Sequence, residues 1–376
     1  MIRTVASVLV VGTGAFGRNV CRSLARSVSR PTVIDVAGRD PVAAATAAGL
    51  GATHARLAGA PVRFRPVVAP LEPDADLRPL LARLSPDVVL LCASLHPPAE
   101  SRRDDAWSDL LRQAGFGVTL PLQAALAERV AADYAATHPD PTLINACFPD
   151  AVNPLLRHRG LPVLCGLGNV AALALGVRDQ LGVADPARLT MLAHHAHLHR
   201  PSDPAAEAVG WLDGRPLGGL RRTLEPIRRL PRDLLNELSA WASGPLVAAV
   251  VQDEMYVGHL PGVCGLPGGY PVAVTGRSVA LRLPGGMSER AAIRWNERAA
   301  ELDGVAIGAD GRATFTEPVV TALRRWWPAA PAAVDPDELP GLRAELLALR
   351  HRLRGRPAGG GCGGRTAAPL EPTRIG

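Results

Sequence analysis

The feature that most constrains the fold of this chain is a glycine pattern close to its N-terminus. The continuous apolar run 8–11 leads directly into Gly12-Thr13-Gly14-Ala15-Phe16-Gly17, and apolar residues at helical spacing follow over 18–26. A buried strand, a glycine-rich turn and a helix in this order predict a dinucleotide-binding unit. In such a unit the first glycine permits the turn, the second lets a pyrophosphate approach the backbone, and the third lets helix and strand pack closely. Glycines that only shape a turn are the plainer alternative.

Strand and helix patterns then alternate over the first 150 residues. Strands are predicted over 32–37, 87–92 and 142–147, and helices over 41–50 and 120–136. This alternation predicts an α/β fold with a doubly wound parallel Rossmann sheet, assigned to residues 1–150.

A mixed pattern follows, and it predicts an α+β substrate domain over 151–330. Its expected elements are a strand over 189–193, a hairpin that turns at Gly276, and helices over 170–181, 232–242, 245–251 and 288–302. Residues 331–376 are expected to form a C-terminal helix over 336–354 and, after Arg356, a disordered glycine-rich tail.

The end of the second strand bears on the choice of cofactor. NAD enzymes usually place an acid there to bind the ribose hydroxyls, whereas this chain has Gly38-Arg39-Asp40. A guanidinium at position 39 is suited to a 2′-phosphate, so the sequence favours NADP over NAD. Asp35 lies earlier, inside the strand. The alternative is that Arg39 is only solvated surface.

Composition excludes several classes of protein. Hydrophobic residues make up 47% of the 376 residues, yet no uninterrupted apolar run reaches the roughly 18 residues of a membrane helix, and no signal peptide is expected before the first strand. We therefore expect a cytoplasmic protein that does not bind membranes. Its net charge of +6 is spread along the chain without interleaved aromatic residues, so a nucleic-acid partner is not expected.

Two amino-acid types narrow the chemistry further. All 41 basic residues are arginine, which excludes a Schiff-base lysine and the Tyr-x-x-x-Lys pair of short-chain dehydrogenases. The six cysteines form no close-spaced pairs and are expected to be free thiols.

Two family resemblances extend this interpretation. The run Val-Ala-Gly-Arg-Asp-Pro over 36–41, with the alanine-rich helix after it, resembles the NADP-binding domain of saccharopine-dehydrogenase-like reductases, over roughly residues 6–95. The overall organisation over 6–305 resembles the lactate/malate dehydrogenase superfamily. The segments that resemble it are the strand 85–94, the arginine-bearing loop 100–103, the strand 144–150, the Gly-x-Gly entry 164–169, the histidine segment 192–199 and the hairpin and helix after Gly269.

The second resemblance implies site residues, a small-molecule substrate and a homodimer. It implies that Ala93 and Asn145 contact the cofactor and that Arg102 or Arg103 binds an anionic substrate from a closing loop. It also places the catalytic histidine at His199, with His195 as the second choice. A histidine is suited to proton transfer near neutral pH. If residues 194–199 continue the strand, His195, His197 and His199 share one face.

The sequence departs from that family at one critical point. The family carries an aspartate that orients the histidine and an arginine that grips a carboxylate, both on the helix after Gly166-Leu167-Gly168. This chain has neither residue there. The expected function is therefore an NADP-dependent oxidoreductase that acts on a carbonyl or imine of a small polar metabolite, without a bound metal.

Three alternatives remain open from the sequence. The first is a non-catalytic, regulatory NADP-binding protein, consistent with the missing aspartate and arginine. The second is an NAD- and metal-dependent lyase or hydrolase on the same fold. It is based on Cys165, 30 residues before His195, which resembles the arrangement in family-4 glycoside hydrolases. The third is Cys147 as a nucleophile, a weak resemblance to semialdehyde dehydrogenases of the N-acetyl-glutamyl-phosphate reductase type.

Overall fold

A parallel sheet of six strands forms the N-terminal part of the fold. In a computed structural model, which describes residues 5–97, 100 and 103–358, the strands lie in the order β3-β2-β1-β4-β5-β6. This is the strand order of dinucleotide-binding folds, so the predicted α/β class is confirmed. The strands are β1 (Ala6–Val11), β2 (Thr32–Gly38), β3 (Val62–Val68), β4 (Val88–Leu91), β5 (Leu143–Asn145) and β6 (Cys165–Gly166).

Helices connect these strands and cover both faces of the sheet. Adjacent residues of β1 point to opposite faces: Val8 and Val10 belong to one apolar cluster, Leu9 and Val11 to another. Burial on both faces explains why the run 8–11 is continuously apolar. The helices of this part are α1 (Ala15–Ser27), α2 (Pro41–Ala58), α3 (Arg78–Leu84), α4 (Ala106–Ala114), α5 (Leu120–Thr137) and α6 (Pro149–His158).

Three small antiparallel sheets follow, with helices between them. The first sheet contains β7 (Leu189–Leu192), β8 (Val209–Leu212) and β9 (Arg215–Pro216). The second contains β10 (Met255–Pro261), β11 (Gly269–Thr275) and β12 (Ser278–Leu281). The third contains β13 (Val305–Ile307), β14 (Ala313–Phe315) and β15 (Ala333–Val334). The predicted hairpin at Gly276 is the β11–β12 turn, with Thr275 opposite Ser278.

The remaining helices are α7 (Asn169–Gln180), α8 (Leu220–Thr223), α9 (Glu225–Arg228), α10 (Arg232–Trp241), α11 (Ser243–Gln252), α12 (Glu289–Ala300), α13 (Glu317–Arg324) and α14 (Leu339–Arg354). Helix α14 buries Leu342, Leu346 and Leu349 in the same cluster as α5, as expected for a C-terminal helix that packs on the body. The tail expected to be disordered lies, beyond Ala358, outside the described residues, and the three domain boundaries stay predictions.

Helices α10 and α11 together form a 21-residue segment, Arg232–Gln252, that is long and apolar enough to span a membrane by length and composition. In the structure 61% of its most apolar window is buried. It packs against α1, where a side chain on Gly244 would collide with Ser23 at 2.2 Å. This burial is typical of a core helix.

Candidate active site

The glycine loop between β1 and α1 has the geometry that its sequence predicts. Gly12 has a φ of +122°, and a Cβ there would lie 2.9 Å from the backbone of Cys92. A Cβ on Gly17 would lie 2.1 Å from the Gly12 carbonyl oxygen, so only glycine allows α1 to start this close to β1. A Cβ on Gly14 would meet nothing within 4 Å, and no side chain caps α1. The first amides of α1 therefore face open space, as a pyrophosphate site requires.

The end of β2 lies against this loop, and both acids near it, Asp35 and Asp40, have partners within the chain. A Cβ on Gly38 would lie 2.6 Å from the Thr13 side chain, which occupies the space beside it. Asp35 is buried and accepts two hydrogen bonds from Arg65, at 2.7 and 2.6 Å. Asp40 caps α2 by accepting from Val42 N at 2.7 Å.

Arg39, in contrast, has a largely exposed guanidinium. Its side chain is 67% exposed, and its contact with Glu72 is a loose 3.6 Å. An exposed ion pair of this kind contributes little to the stability of the fold, and it leaves the guanidinium available to a ligand.

Ala93 lies just after β4, and Asn145 is the last residue of β5. Both lie at the same edge of the sheet. Ala93 lies directly against Gly12: a Cβ added to Gly12 would be 3.0 Å from the Cβ of Ala93. The Asn145 amide is fully buried and serves the turn into α6: it donates to Cys147 O at 3.1 Å and to Asn153 Oδ1 at 2.8 Å, and it accepts from Cys147 N at 2.8 Å. Their contact with a cofactor stays a prediction.

The two cysteines of the alternative hypotheses are buried. Burial raises the pKa of the Cys147 thiol to about 12, and its Sγ donates to Ala93 O at 3.1 Å. Burial also raises the pKa of Cys165, in β6. Both thiols are therefore held protonated at neutral pH, which does not favour thiolate chemistry at either position. The described residues contain no group of three or more His, Cys, Asp or Glu arranged to hold a metal ion.

The histidine segment does not continue the strand, so the expected common face of His195, His197 and His199 is wrong. Strand β7 ends at Leu192, and His195–Leu198 is a 3₁₀ turn. The cause is local: the His194 backbone N–H donates to His197 Nδ1 at 2.8 Å, which closes a turn that competes with sheet pairing.

His197 has a structural role. Its Nδ1 accepts the bond from His194 N, so its Nε2 carries the proton and donates to Ala206 O at 2.9 Å. The ring stacks on Trp295, with centroids 5.5 Å apart. Burial lowers the pKa of His197, in keeping with a neutral ring.

His195 forms a buried pair with Asp303, which lies in the turn after α12. Its Nδ1 is 2.9 Å from each carboxylate oxygen of Asp303, and its backbone N–H donates to Asp150 Oδ1 at 2.9 Å. A carboxylate only accepts, so Nδ1 must carry the proton, and Nε2 of a neutral ring presents a lone pair. Burial by itself would raise the pKa of Asp303, but His195 and His194 outweigh it and hold that pKa far below its usual range.

Arg232, at the start of α10, faces the other side of this imidazole. Its guanidinium is 3.4 Å from His195 Nε2. Among the described residues, no carboxylate lies within 4.0 Å of this guanidinium, and burial lowers the pKa of Arg232. A partly buried cation with no carboxylate in direct contact, beside a histidine lone pair, is suited to an anionic ligand.

Two aromatic rings flank His195. The Phe116 ring centroid is 4.7 Å away at a tilt of 31°, and that of Phe148 is 5.6 Å away. Phe148 has a φ of +47°, an uncommon conformation for a bulky residue. The rings cover His195, which is only 7% exposed.

Of the other predicted substrate residues, His199 is exposed. Partial burial of its ring, and then the nearby charges of Arg232 and His195, lower its pKa. Arg102 lies outside the described residues, and Arg103 is exposed. Sequence reasoning missed Asp303 and Arg232, which lie 108 and 37 residues from His195, and no local motif marks either of them.

No protein-family model matches this chain, and no curated protein matches it. Solved structures do match its fold. Malate dehydrogenase from Picrophilus torridus, in its apo form, superimposes with a TM-score of 0.54 at 14% identity, covering 79% of this chain and 96% of that one. Malate dehydrogenase from Salinibacter ruber gives 0.52 at 15% identity, covering 79% and 95%. Lactate dehydrogenase from Cryptosporidium parvum, complexed with lactic acid and nicotinamide adenine dinucleotide, gives 0.50 at 16%, covering 81% and 97%.

These similarities establish a shared fold. The predicted organisation of the chain along the lines of the lactate/malate dehydrogenases is therefore confirmed at the level of the fold.

Proposed function

We propose that this protein is an NADP-dependent oxidoreductase that interconverts a hydroxyl and a carbonyl group on a small metabolite bearing a carboxylate. The observation that carries the proposal is the buried His195–Asp303 pair with the Arg232 guanidinium 3.4 Å from His195 Nε2. The fold adds support, since a dehydrogenase that shares it binds lactic acid and a nicotinamide dinucleotide.

His195 and Asp303 perform the proton transfer in this proposal. The bound nicotinamide would supply or accept the hydride. In the oxidative direction the substrate hydroxyl gives its proton to His195 Nε2, and in the reductive direction Nε2–H returns it to the carbonyl oxygen. Asp303 holds the ring in the tautomer that leaves Nε2 free, and it stabilises the imidazolium that forms.

Arg232 would bind the substrate carboxylate. It would take the role of the arginine that the sequence lacks after Gly168, and Asp303 would take that of the missing aspartate. A guanidinium grips a carboxylate through two parallel hydrogen bonds and so orients the neighbouring carbon atom toward His195. Phe116 and Phe148 would exclude water from the imidazole.

The glycine loop and Arg39 would bind the cofactor. The uncapped start of α1 fits a pyrophosphate, and the exposed Arg39 beside Gly38 fits a 2′-phosphate. Asp35, the acid within β2, is committed to Arg65 and so is not free to bind a ribose diol.

A matched pair of variants tests the catalytic assignment. We expect His195→Asn to lower turnover of 2-oxo acids with NADPH by about 10²–10⁴-fold, because the general acid is lost, while NADPH binding is retained. His199→Asn, the control, should stay within about threefold of the unchanged protein. The reverse pattern would transfer the role to His199. The absence of turnover across a panel of 2-oxo acids, together with tight NADPH binding, would support a regulatory protein instead.

Fluorescence titration tests the cofactor. We expect NADPH to bind about tenfold or more tightly than NADH, a difference of about 1.4 kcal/mol, and Arg39→Ala to remove this preference. Arg298→Ala, which removes an exposed arginine from α12, should leave it unchanged. A preference for NADH in the unchanged protein would refute the role of Arg39.

A further inference from the structure

We propose that Arg18 is a second specificity-determining residue of the cofactor site: together with Arg39 it binds the 2′-phosphate that distinguishes NADPH from NADH. This inference rests on the proposed NADP dependence of the enzyme. It adds a residue that the glycine pattern does not mark, since Arg18 follows the last glycine of the loop.

The position of Arg18 in α1 directs its side chain back to the glycine loop. Arg18 lies at the end of the first turn of α1, which begins at Ala15. Side chains of a helix tilt toward its N-terminus. The Arg18 guanidinium accordingly reaches the loop, where its Nη1 donates to the Thr13 carbonyl oxygen at 3.1 Å.

Thr13 in turn lies against the end of β2. A Cβ on Gly38 would lie 2.6 Å from Thr13 Cγ2, and Gly38 immediately precedes Arg39. The Arg18 guanidinium and the end of β2 thus both lie beside Thr13. Two arginines therefore lie at the one edge of the loop that borders β2, although 20 residues of the chain separate them.

Arg18 is a cation without a local counter-charge. Over residues 5–97, 100 and 103–358, no carboxylate lies within 4.0 Å of its guanidinium, and its other N–H groups form no hydrogen bond. The first turn of α1 contains no acidic residue. The N-terminus of a helix carries a partial positive charge, so a cation there is unfavourable for stability. A role in anion binding explains why this position holds an arginine.

The 2′-phosphate is the anion that fits this edge of the loop. The free amides of α1 face the open space beside Gly14 and are suited to the pyrophosphate. Both acids near the end of β2, Asp35 and Asp40, have partners within the chain and are not free to bind a ribose hydroxyl. Arg39 is 67% exposed, and a single exposed cation contributes little. Two guanidiniums on one dianion form charge-assisted hydrogen bonds, and loss of either should remove most of the preference for NADPH.

Fluorescence titration of matched variants with NADPH and NADH tests the inference. Arg18→Gln keeps a donor for the Thr13 carbonyl but has no charge. We expect it to bind NADPH about tenfold more weakly than the unchanged protein and NADH within about twofold, because only NADPH carries the 2′-phosphate. Arg22→Gln, the control, removes a charge one turn farther along α1, where the guanidinium donates to Asn19 Oδ1. It should change neither affinity by more than about twofold.

Two nucleotides separate the 2′-phosphate from the pyrophosphate. Adenosine 2′-monophosphate carries only the phosphate assigned to Arg18 and Arg39, and adenosine 5′-monophosphate carries one at the position of the pyrophosphate. In calorimetric titrations, Arg18→Gln should bind the first about tenfold more weakly and the second within about twofold. An equal loss for both nucleotides, or for NADPH and NADH, would assign Arg18 to the pyrophosphate and overturn the inference. Unchanged affinity for NADPH would overturn it as well.

Arg18→Lys covers the case in which Arg18→Gln does not fold. It keeps the charge but replaces a two-pronged contact by a single one, so NADPH binding should weaken by about threefold while NADH binding is unchanged. Equal effects on the two cofactors would again overturn the inference.

The same titrations distinguish this inference from the proposed function. A preference for NADH in the unchanged protein would refute the proposed NADP dependence and the inference with it. A protein that prefers NADPH and turns over 2-oxo acids, but in which Arg18→Gln weakens both cofactors equally, would refute the inference alone. A selective loss of NADPH binding in a protein without turnover would refute the oxidoreductase and leave the role of Arg18 established.

Discussion

Replacement of Asp303 by asparagine removes the charge that holds the site together while keeping the shape of the side chain. Asparagine presents one acceptor and one NH₂ group where the carboxylate presents two acceptors. If the NH₂ group faces His195, the imidazole must change tautomer or lose its hydrogen bond. After a change of tautomer, its Nε2 becomes a donor facing the Arg232 guanidinium at 3.4 Å and can no longer accept a substrate proton.

The cost to stability follows from the hydrogen bonds. Asp303 accepts from His195 Nδ1 at 2.9 Å in a buried position, with His194 Nδ1 3.0 Å away. A hydrogen bond to a charged group contributes about 1.5–3 kcal/mol, and the neutral bond that replaces it contributes about 0.5–1.5 kcal/mol. We therefore expect Asp303→Asn to lower the free energy of unfolding by about 1–2 kcal/mol.

The pH dependence of that loss is a sharper test. The pKa of Asp303 is depressed, so its contribution is present above the unfolded aspartate value of about 3.9 and is lost as the pH falls. The pKa of His194 is raised, so its contribution is present below about 6.5 and is lost as the pH rises through the folded value. The difference between the unchanged protein and the variant should therefore be largest between about pH 4 and 6.5.

Urea unfolding at pH 5.5 and pH 9 measures this difference. Asp337→Asn serves as the control, because its side chain is 94% exposed and its ion pair with Arg159 should contribute less than about 1 kcal/mol. An Asp303→Asn effect of the same size at both pH values would refute the imidazole–carboxylate account. An effect no larger than that of Asp337→Asn would refute it as well.

Three further predictions concern the scaffold. Gly17→Ala should lower the melting temperature, because the added Cβ would lie 2.1 Å from the Gly12 carbonyl oxygen. It should also weaken NADPH binding by about tenfold or more in a fluorescence titration. Normal affinity in the variant would contradict the close packing of the loop. Burial, with nearby arginines, lowers the pKa of His259 to about 3, so below pH 6.5 the unfolded chain binds a proton that the folded one does not. As the pH falls below 6.5, this residue alone should lower the free energy of unfolding by about 1.4 kcal/mol per pH unit. In His259→Leu, the free energy of unfolding measured in urea should therefore depend less steeply on pH, by the same amount. Glu207→Ala leaves the buried Arg228 without its ion-pair partner and should lower the free energy of unfolding in urea by about 3–5 kcal/mol. Asp213→Ala, which breaks an exposed ion pair, should lower it by about 1 kcal/mol or less. Equal losses in the two variants would refute the distinction.

Local patterns in the chain predict much of the fold. The apolar run 8–11, the three glycines after it and the alternation of strands and helices identify a dinucleotide-binding sheet, because each of these patterns depends on neighbouring residues only. Weaker patterns were missed. The edge strand β3, Val62–Val68, mixes buried and exposed residues without regular alternation. The strands β9 and β15 have two residues each, too few to show any alternation of apolar and polar residues.

The histidine segment shows how local chemistry can mislead. Residues 189–193 read correctly as a strand, and continuing it through His199 was reasonable by alternation. The continuation failed because the His197 ring accepts from the His194 backbone and turns the chain. The result is that His194 and His195 reach the same carboxylate, while His199 stays exposed.

The sequence by itself determined the Rossmann unit, the shape of its glycine loop and the position of Arg39, since turn geometry and helix starts are properties of a few consecutive residues. The cluster around His195 was decided only by the tertiary structure. Asp303 follows α12, Arg232 begins α10 and Asp150 lies in the first turn of α6, and their side chains meet only when these helices pack on the sheet. Charge pairing in a buried site depends on distance in space, and no spacing along this chain encodes that distance.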